Sequence, residues 1–188
     1  MRRRASLAVA CVWFFAGATS AFGFDPVPPV LAAQGTVQVA FAPWDDLESM
    51  VTDAIDAAQI QVLVQAYLLT NRRIADALLS AHRRGVDVRV LADAEQLAKS
   101  ELSRLPELAA AGIPVWLETK YQNAHNKIIV IDAATPDATI ITGSFNFTWG
   151  AQHKNAENIL VTRQNPSLAS RYASNWERHK QDAVLYSK

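Results

Sequence analysis

The chain has 188 residues, with 18 basic and 18 acidic side chains, so it lacks the bulk charge that would coat it in nucleic acid. Cys11, its single cysteine, excludes an internal disulfide framework and a cysteine metal cluster. Half of the residues are hydrophobic, which is enough to fill the core of one ordinary domain.

Arg2, Arg3 and Arg4 open the chain, an apolar run follows from Leu7 to about Phe15, and small residues fill Ala16 to Gly23. Charged, apolar, then small is the order of a secretory signal peptide, assigned to 1–23 with cleavage after Ala21 or Gly23. The apolar run is shorter than the roughly 20 residues of a spanning helix; an uncleaved anchor is the alternative. Removing 1–23 takes three arginines away and leaves 165 residues, 15 basic and 18 acidic, with a net charge of −3. The expected product is secreted, or periplasmic if the source is Gram-negative, without stable membrane association after cleavage.

Pro26, Pro28, Pro29 and Gly35 mark 24–35 as an extended leader into a single domain over 36–188. Val37, Val39 and Phe41 alternate, predicting a strand over 36–42 that Pro43 stops. Residues 45–58 carry apolar side chains near helical spacing, and Ile60 to Ala66 reads as a compact strand. Asn71 caps a helix running to about Arg84, with Gly85 as its stop. Val86 to Leu91 is the next strand, 95–110 a helix broken near Pro106, and Ile113 to Leu117 a further strand. Lys127 to Ile131 and Thr139 to Thr142 form a hairpin, 157–162 a strand, and a last helix begins at Pro166, capped by Asn165. Strands alternating with helices predict an α/β fold: a mixed, largely parallel sheet flanked by helices.

The chemistry concentrates after residue 124. Side chains alternate faces along a strand, so His125 and Lys127 share one face at the end of a strongly apolar strand. An imidazole beside an ammonium suits a phosphate: one attacks phosphorus while the other holds a non-bridging oxygen. Asp132 falls on the opposite parity and is given a structural role at the strand end. In Gly143-Ser144-Phe145-Asn146, Ser144 and Asn146 share a face if extended, and Gly143 lets the backbone come close. In Asn155-Ala156-Glu157-Asn158, Glu157 is a candidate acceptor for an imidazole N–H. Tyr67, Phe145, Phe147, Trp149 and Lys154 are candidate substrate contacts. For Phe145, Phe147 and Trp149, core packing is favoured over stacking on bases. Arg72 and Arg73 stand near the same strand end as Tyr67. His82 and His179 read as surface positions and His153 as a loop position, with an alternative acid as its competing reading. Asp93 and Glu95 follow a strand end where a two-metal site would begin, but the chain has no His-Glu-x-x-His, and no metal or cofactor is assigned.

The run His125-x-Lys127-x4-Asp132 followed by Gly143-Ser144-x-Asn146 resembles the signature of the phospholipase D superfamily. Gly143 to Thr148, Asn155 to Asn158, Ala66-Tyr67, Arg83 to Val88 and Gly112-Ile113-Pro114 resemble its small bacterial endonuclease branch, so the likeness covers nearly all of the mature chain. The resemblance implies a phospholipase D-like fold and a metal-independent phosphodiesterase working through a phosphohistidine. It assigns His125 as nucleophile, Lys127 and Asn146 with help from Ser144 to the phosphate, and Glu157 to orienting a histidine of its own subunit or of the partner. Family members use two histidines, and this chain carries one motif, so the resemblance implies a homodimer. Nucleic acid is the expected substrate, DNA ahead of RNA. The alternatives are a phosphatidyl hydrolase or transferase and a nucleic-acid binding module without turnover.

Overall fold

The computed structural model describes residues 27–187. The expected signal peptide lies outside the described residues, as do positions 24–26 of the leader; 31–35 contain no helix or strand. In chain order the elements are β1 (Thr36–Ala42), α1 (Leu47–Asp56), β2 (Gln61–Ala66), α2 (Arg72–Arg83), β3 (Asp87–Asp93), α3 (Ala94–Lys99) and α4 (Leu105–Ala110). Then follow β4 (Val115–Glu118), β5 (Lys127–Ile131), β6 (Thr139–Gly143), α5 (Trp149–His153), β7 (Glu157–Arg163), α6 (Pro166–Gln181) and β8 (Val184–Leu185).

Local chemistry explains most boundaries. Asp46 caps α1 by accepting from the Ser49 N–H, Asn71 caps α2 through Ile74, and Asn165 caps α6 through Leu168. Gly85, with φ of 90°, ends α2 in a conformation that favours glycine. The helix expected over 95–110 is two helices, and the break lies at 100–104 rather than at Pro106. Pro106 sits in the first turn of α4, where its missing N–H is no loss. Neither α5 nor β8 was foreseen: both are short, and the alternating aromatics ahead of α5 resemble a strand.

All eight strands form one mixed sheet in the order β1-β7-β6-β5-β2-β3-β4-β8. The expected α/β class stands, but the parallel share is smaller than expected. Only β2-β3 and β3-β4 are parallel; the other five pairings are antiparallel. The main correction is β1. It runs in the same direction as β2, yet lies at the far edge and pairs antiparallel with β7, from Thr36↔Arg163 to Ala42↔Glu157. A helix between two strands suggests a neighbouring crossover, and nothing in β1 itself signals the distant partner.

The central strands are apolar throughout because both faces are covered. On one face Leu47, Val51 and Ile55 of α1 and Ile74 and Leu78 of α2 pack on Val62, Val64, Ile129 and Ile131. On the other, Ala169 and Trp176 of α6 pack on Leu63, Leu91, Ile128, Val130 and Ile140. Trp176 is fully buried, and its indole N–H donates to the Val64 carbonyl at 2.9 Å. Burying such side chains contributes about 1.5–3 kcal/mol each. Helix α6 lies over β2 to β6 and leaves Val37, Val39, Phe41 and Leu160 of β1 and β7 exposed on that face. Among the described residues, no helix is long and apolar enough to cross a membrane.

This strand order brings one set of termini to a single edge. Strands β1, β2, β3, β4 and β6 end there, at Ala42, Ala66, Asp93, Glu118 and Gly143, while β5 and β7 begin there, at Lys127 and Glu157. In open α/β sheets, the ends of the parallel strands are where ligands are held.

Candidate active site

His125 precedes β5 and is exposed at this edge. Register opposes Lys127 to Ala66, and the Tyr67 N–H donates to the Asn126 carbonyl at 2.9 Å, carrying the β2–β5 ladder one step past the strands. The Tyr67 and His125 rings lie 4.4 Å apart, tilted by 56°. Lys127 is 6% exposed. Its ammonium donates to the His125 carbonyl at 2.7 Å and stands 4.8 Å from the centre of the Tyr67 ring. Burial pushes the Lys127 ammonium down to about 8, and the Glu157 carboxylate pulls the other way.

Strand β6 delivers the second arm. A Cβ on Gly143 would meet the Asn158 carbonyl oxygen at 2.2 Å, so only glycine permits this approach of β6 to β7. The Ser144 hydroxyl donates to Glu157 Oε2 at 2.5 Å and accepts from the Asn158 N–H at 3.0 Å. Its proton is therefore engaged by a carboxylate. Asn155 donates to the other Glu157 oxygen at 2.9 Å. Among the described residues, Glu157 makes no hydrogen bond to the imidazole of its own chain. Asn146 is half-buried, and its Oδ1 is buried without a partner. Such an acceptor is costly to leave unpaired.

The remaining sequence candidates separate. Phe145 and Phe147 are each 1% exposed and lie in the core, so they present no face to a base. Phe147 is also tied by its backbone to Leu68, Thr70 and Asn71, which seats the loop after β6 on the turn before α2. Trp149 opens α5 behind a Thr148 cap and is 56% exposed, with the His153 ring at 4.6 Å and Lys154 over its face at 5.3 Å. Arg73 pairs with the buried Glu48 at 2.9 Å and Arg72 with Asp76 at 3.6 Å, so neither lines the site as a loose cation. His179 is not a surface position: its Nδ1 meets the buried Glu118 carboxylate at 2.5 Å.

Asp132 lies at the opposite end of β5. It is 7% exposed, adopts φ of 50°, and accepts from the N–H groups of Gln59, Ile60 and Gln61 at 2.8–2.9 Å. Asp93 and Glu95 have separate tasks. Glu95 pairs with Lys99, while Asp93 caps α3 through Gln96 and also accepts from the Ala124 N–H at 2.7 Å. That second bond holds the residue before His125. Sequence reasoning missed it, although a carboxylate between a strand and a helix is a capping signal.

Residues 51–180 match the protein family described as "Cardiolipin synthase, PLD-like domain". A phospholipase D of Rickettsia felis is 38% identical over 144 residues, which span 77% of this chain and 69% of that protein. A mitochondrial cardiolipin hydrolase of Xenopus laevis is 30% identical over 160 residues, 82% of this chain and 73% of that one. The solved structure of the phospholipase D family member Nuc from Salmonella typhimurium superposes with a TM-score of 0.76 at 32% identity, over 82% of this chain and all of that chain.

Proposed function

The chain belongs to the phospholipase D superfamily, and from that premise we propose that it is a metal-independent endonuclease, hydrolysing nucleic-acid phosphodiester bonds as a homodimer. One observation carries the reading. An exposed imidazole and a buried ammonium stand together on a sheet edge, where Ser144 and Glu157 are bonded to each other at the same ends of β6 and β7. The sequence likeness to the endonuclease branch supports nucleic acid as the substrate, with DNA ahead of RNA.

In this reading a neutral ring nitrogen of His125 attacks phosphorus, and the bond from phosphorus to the leaving oxygen breaks. Lys127 holds a non-bridging oxygen, and the Asn146 amide supplies a further donor. The protonated His125 of a second copy donates to the leaving oxygen. Water, deprotonated by that now neutral imidazole, then cleaves the phosphorus–nitrogen bond and restores both histidines. The uncovered apolar face of β1 and β7, beside Glu157, supports a two-fold partner. Secretion after removal of 1–23 is part of the same proposal, read from the N-terminal mass of the exported protein.

The test is plasmid DNA incubated with the mature protein in excess chelator, beside His125→Ala. We expect nicking by the parent protein and at least a roughly 10⁴-fold loss in the variant. Full activity in His125→Ala overturns the nucleophile, and activity restored only by added metal overturns the mechanism. A lipid reading is favoured by the names of the Rickettsia and Xenopus relatives. Phosphatidylcholine and cardiolipin vesicles in the same assay decide between the two.

A further inference from the structure

We infer that Tyr67 is a positioning residue: its ring seats the His125 imidazole and lies beside the Lys127 ammonium, so that nucleophile and cation meet one phosphoryl group together. The inference rests on His125 being the nucleophile. It also reassigns Tyr67, which the sequence offers as a substrate contact.

An attacking imidazole must be held, since small misplacements of a reacting atom are expensive. The usual means is a carboxylate on the far ring nitrogen. Among the described residues no carboxylate bonds the imidazole, and Glu157 accepts from Ser144 and Asn155 instead. What touches the imidazole is the Tyr67 ring, at 4.4 Å. The same ring faces the Lys127 ammonium at 4.8 Å, where its quadrupole favours the charged form against the surrounding burial.

The ring is itself fixed. Its backbone N–H is bonded to Asn126 at 2.9 Å. Its hydroxyl accepts from Gln96 Nε2 at 2.8 Å and donates to Asn123 Oδ1 at 3.3 Å. Gln96 belongs to α3, whose cap Asp93 also grips the Ala124 N–H. Tyr67 and Asp93, at the ends of neighbouring parallel strands, therefore hold the segment 123–126 from the hydroxyl, the ring and the backbone.

The experiment uses the full mature chain with bis-4-nitrophenyl phosphate, a small diester that offers no nucleobase, in chelator. Tyr67→Leu removes the ring, and Tyr67→Phe keeps the ring but unties the hydroxyl. We expect kcat to fall about 50-fold in the first and about 5-fold in the second, with KM changed by less than about 3-fold. The ring protons of His125, shielded by the Tyr67 ring current, move towards their free-imidazole positions in Tyr67→Leu and stay shielded in Tyr67→Phe. Wild-type kcat in Tyr67→Leu, a loss confined to KM, or unmoved His125 signals overturns the inference. If Tyr67→Leu does not fold, Tyr67→Phe decides: reduced kcat at constant KM supports the proposal, and unchanged kcat ends it. His125→Ala in the same assay separates the two claims. An active His125→Ala removes the nucleophile and this inference with it; a dead His125→Ala beside a fully active Tyr67→Leu removes this inference alone.

Discussion

Strand β5 carries a buried charge at each end, and the two ends treat it differently. Asp132 is met by three backbone N–H groups in a tight, complete set. Lys127, buried to the same degree, has one carbonyl and the face of an aromatic ring. A carboxylate with its acceptors filled is a finished structural joint. This ammonium has donors to spare, is pushed down to about 8 by burial, and among the described residues forms no ion pair. The comparison separates two residues of one sequence motif into a joint and a binding group.

Replacing Lys127 breaks the comparison most severely. Lys127→Met should lower kcat about 10³-fold, because the developing charge on the phosphoryl group loses its cation. The same change should stabilise the fold at neutral pH. Burial lowers Lys127 from its ordinary 10.5 to about 8 in the folded state, so the folded chain binds fewer protons than the unfolded chain between those values. The destabilisation is fully present below pH 8 and fades as pH rises from 8 to 10.5. Denaturant midpoints should show Lys127→Met ahead by on the order of 2 kcal/mol at pH 7, with the gap closing by pH 10. Activity of the parent protein should fall as pH rises through about 8, where the ammonium discharges. A variant less stable than the parent at pH 7 would mean that Lys127 is already satisfied.

At the other end of the strand, Asp132→Ala leaves three backbone donors without their acceptor and puts alanine at a positive φ. We expect a loss of about 3 kcal/mol and a Tm lower by about 10 °C. The kcat of the molecules that remain folded at 25 °C should not change, since Asp132 lies a full strand away from His125. A collapse of kcat at unchanged Tm would erase the distinction between the two ends.

How far this was legible in the sequence follows the same line. Period-two alternation and the apolar run of β5 place His125 and Lys127 on one face, and opposite parity sets Asp132 apart. Asn71 and Gly85 bound α2, and Asn165 locates the start of α6. The core reading holds for Phe145 and Phe147 but not for Trp149, which is exposed, because alternation alone does not separate a buried aromatic from one on the surface. The long-range partners were invisible for a related reason. The β1–β7 pairing, the Asp93–Ala124 bond and the His179–Glu118 contact join residues 31 to 127 positions apart, and no local pattern encodes them. Glu157 shows the same limit. Its residue type allowed an imidazole partner, whereas the β6–β7 ladder gave it Ser144 instead.

The smallest effect tests that last pairing. Ser144 bridges Glu157 and the Asn158 N–H at the exposed edge, so Ser144→Ala should alter stability by less than about 0.5 kcal/mol. Two roles for the hydroxyl then give different outcomes. If it restrains Glu157, its removal frees that carboxylate to approach the Lys127 ammonium, whose charged form Glu157 already favours. The alkaline limb of activity should then move to higher pH, while kcat at pH 7 falls only about 3-fold. If the hydroxyl instead turns to donate to the phosphate, its loss removes transition-state stabilisation at every pH. Activity would then fall by about 10-fold or more, and the limb would not move. The hydrogen bond to Glu157 favours the first outcome: donation to the phosphate would require Ser144 to give up a carboxylate acceptor at 2.5 Å.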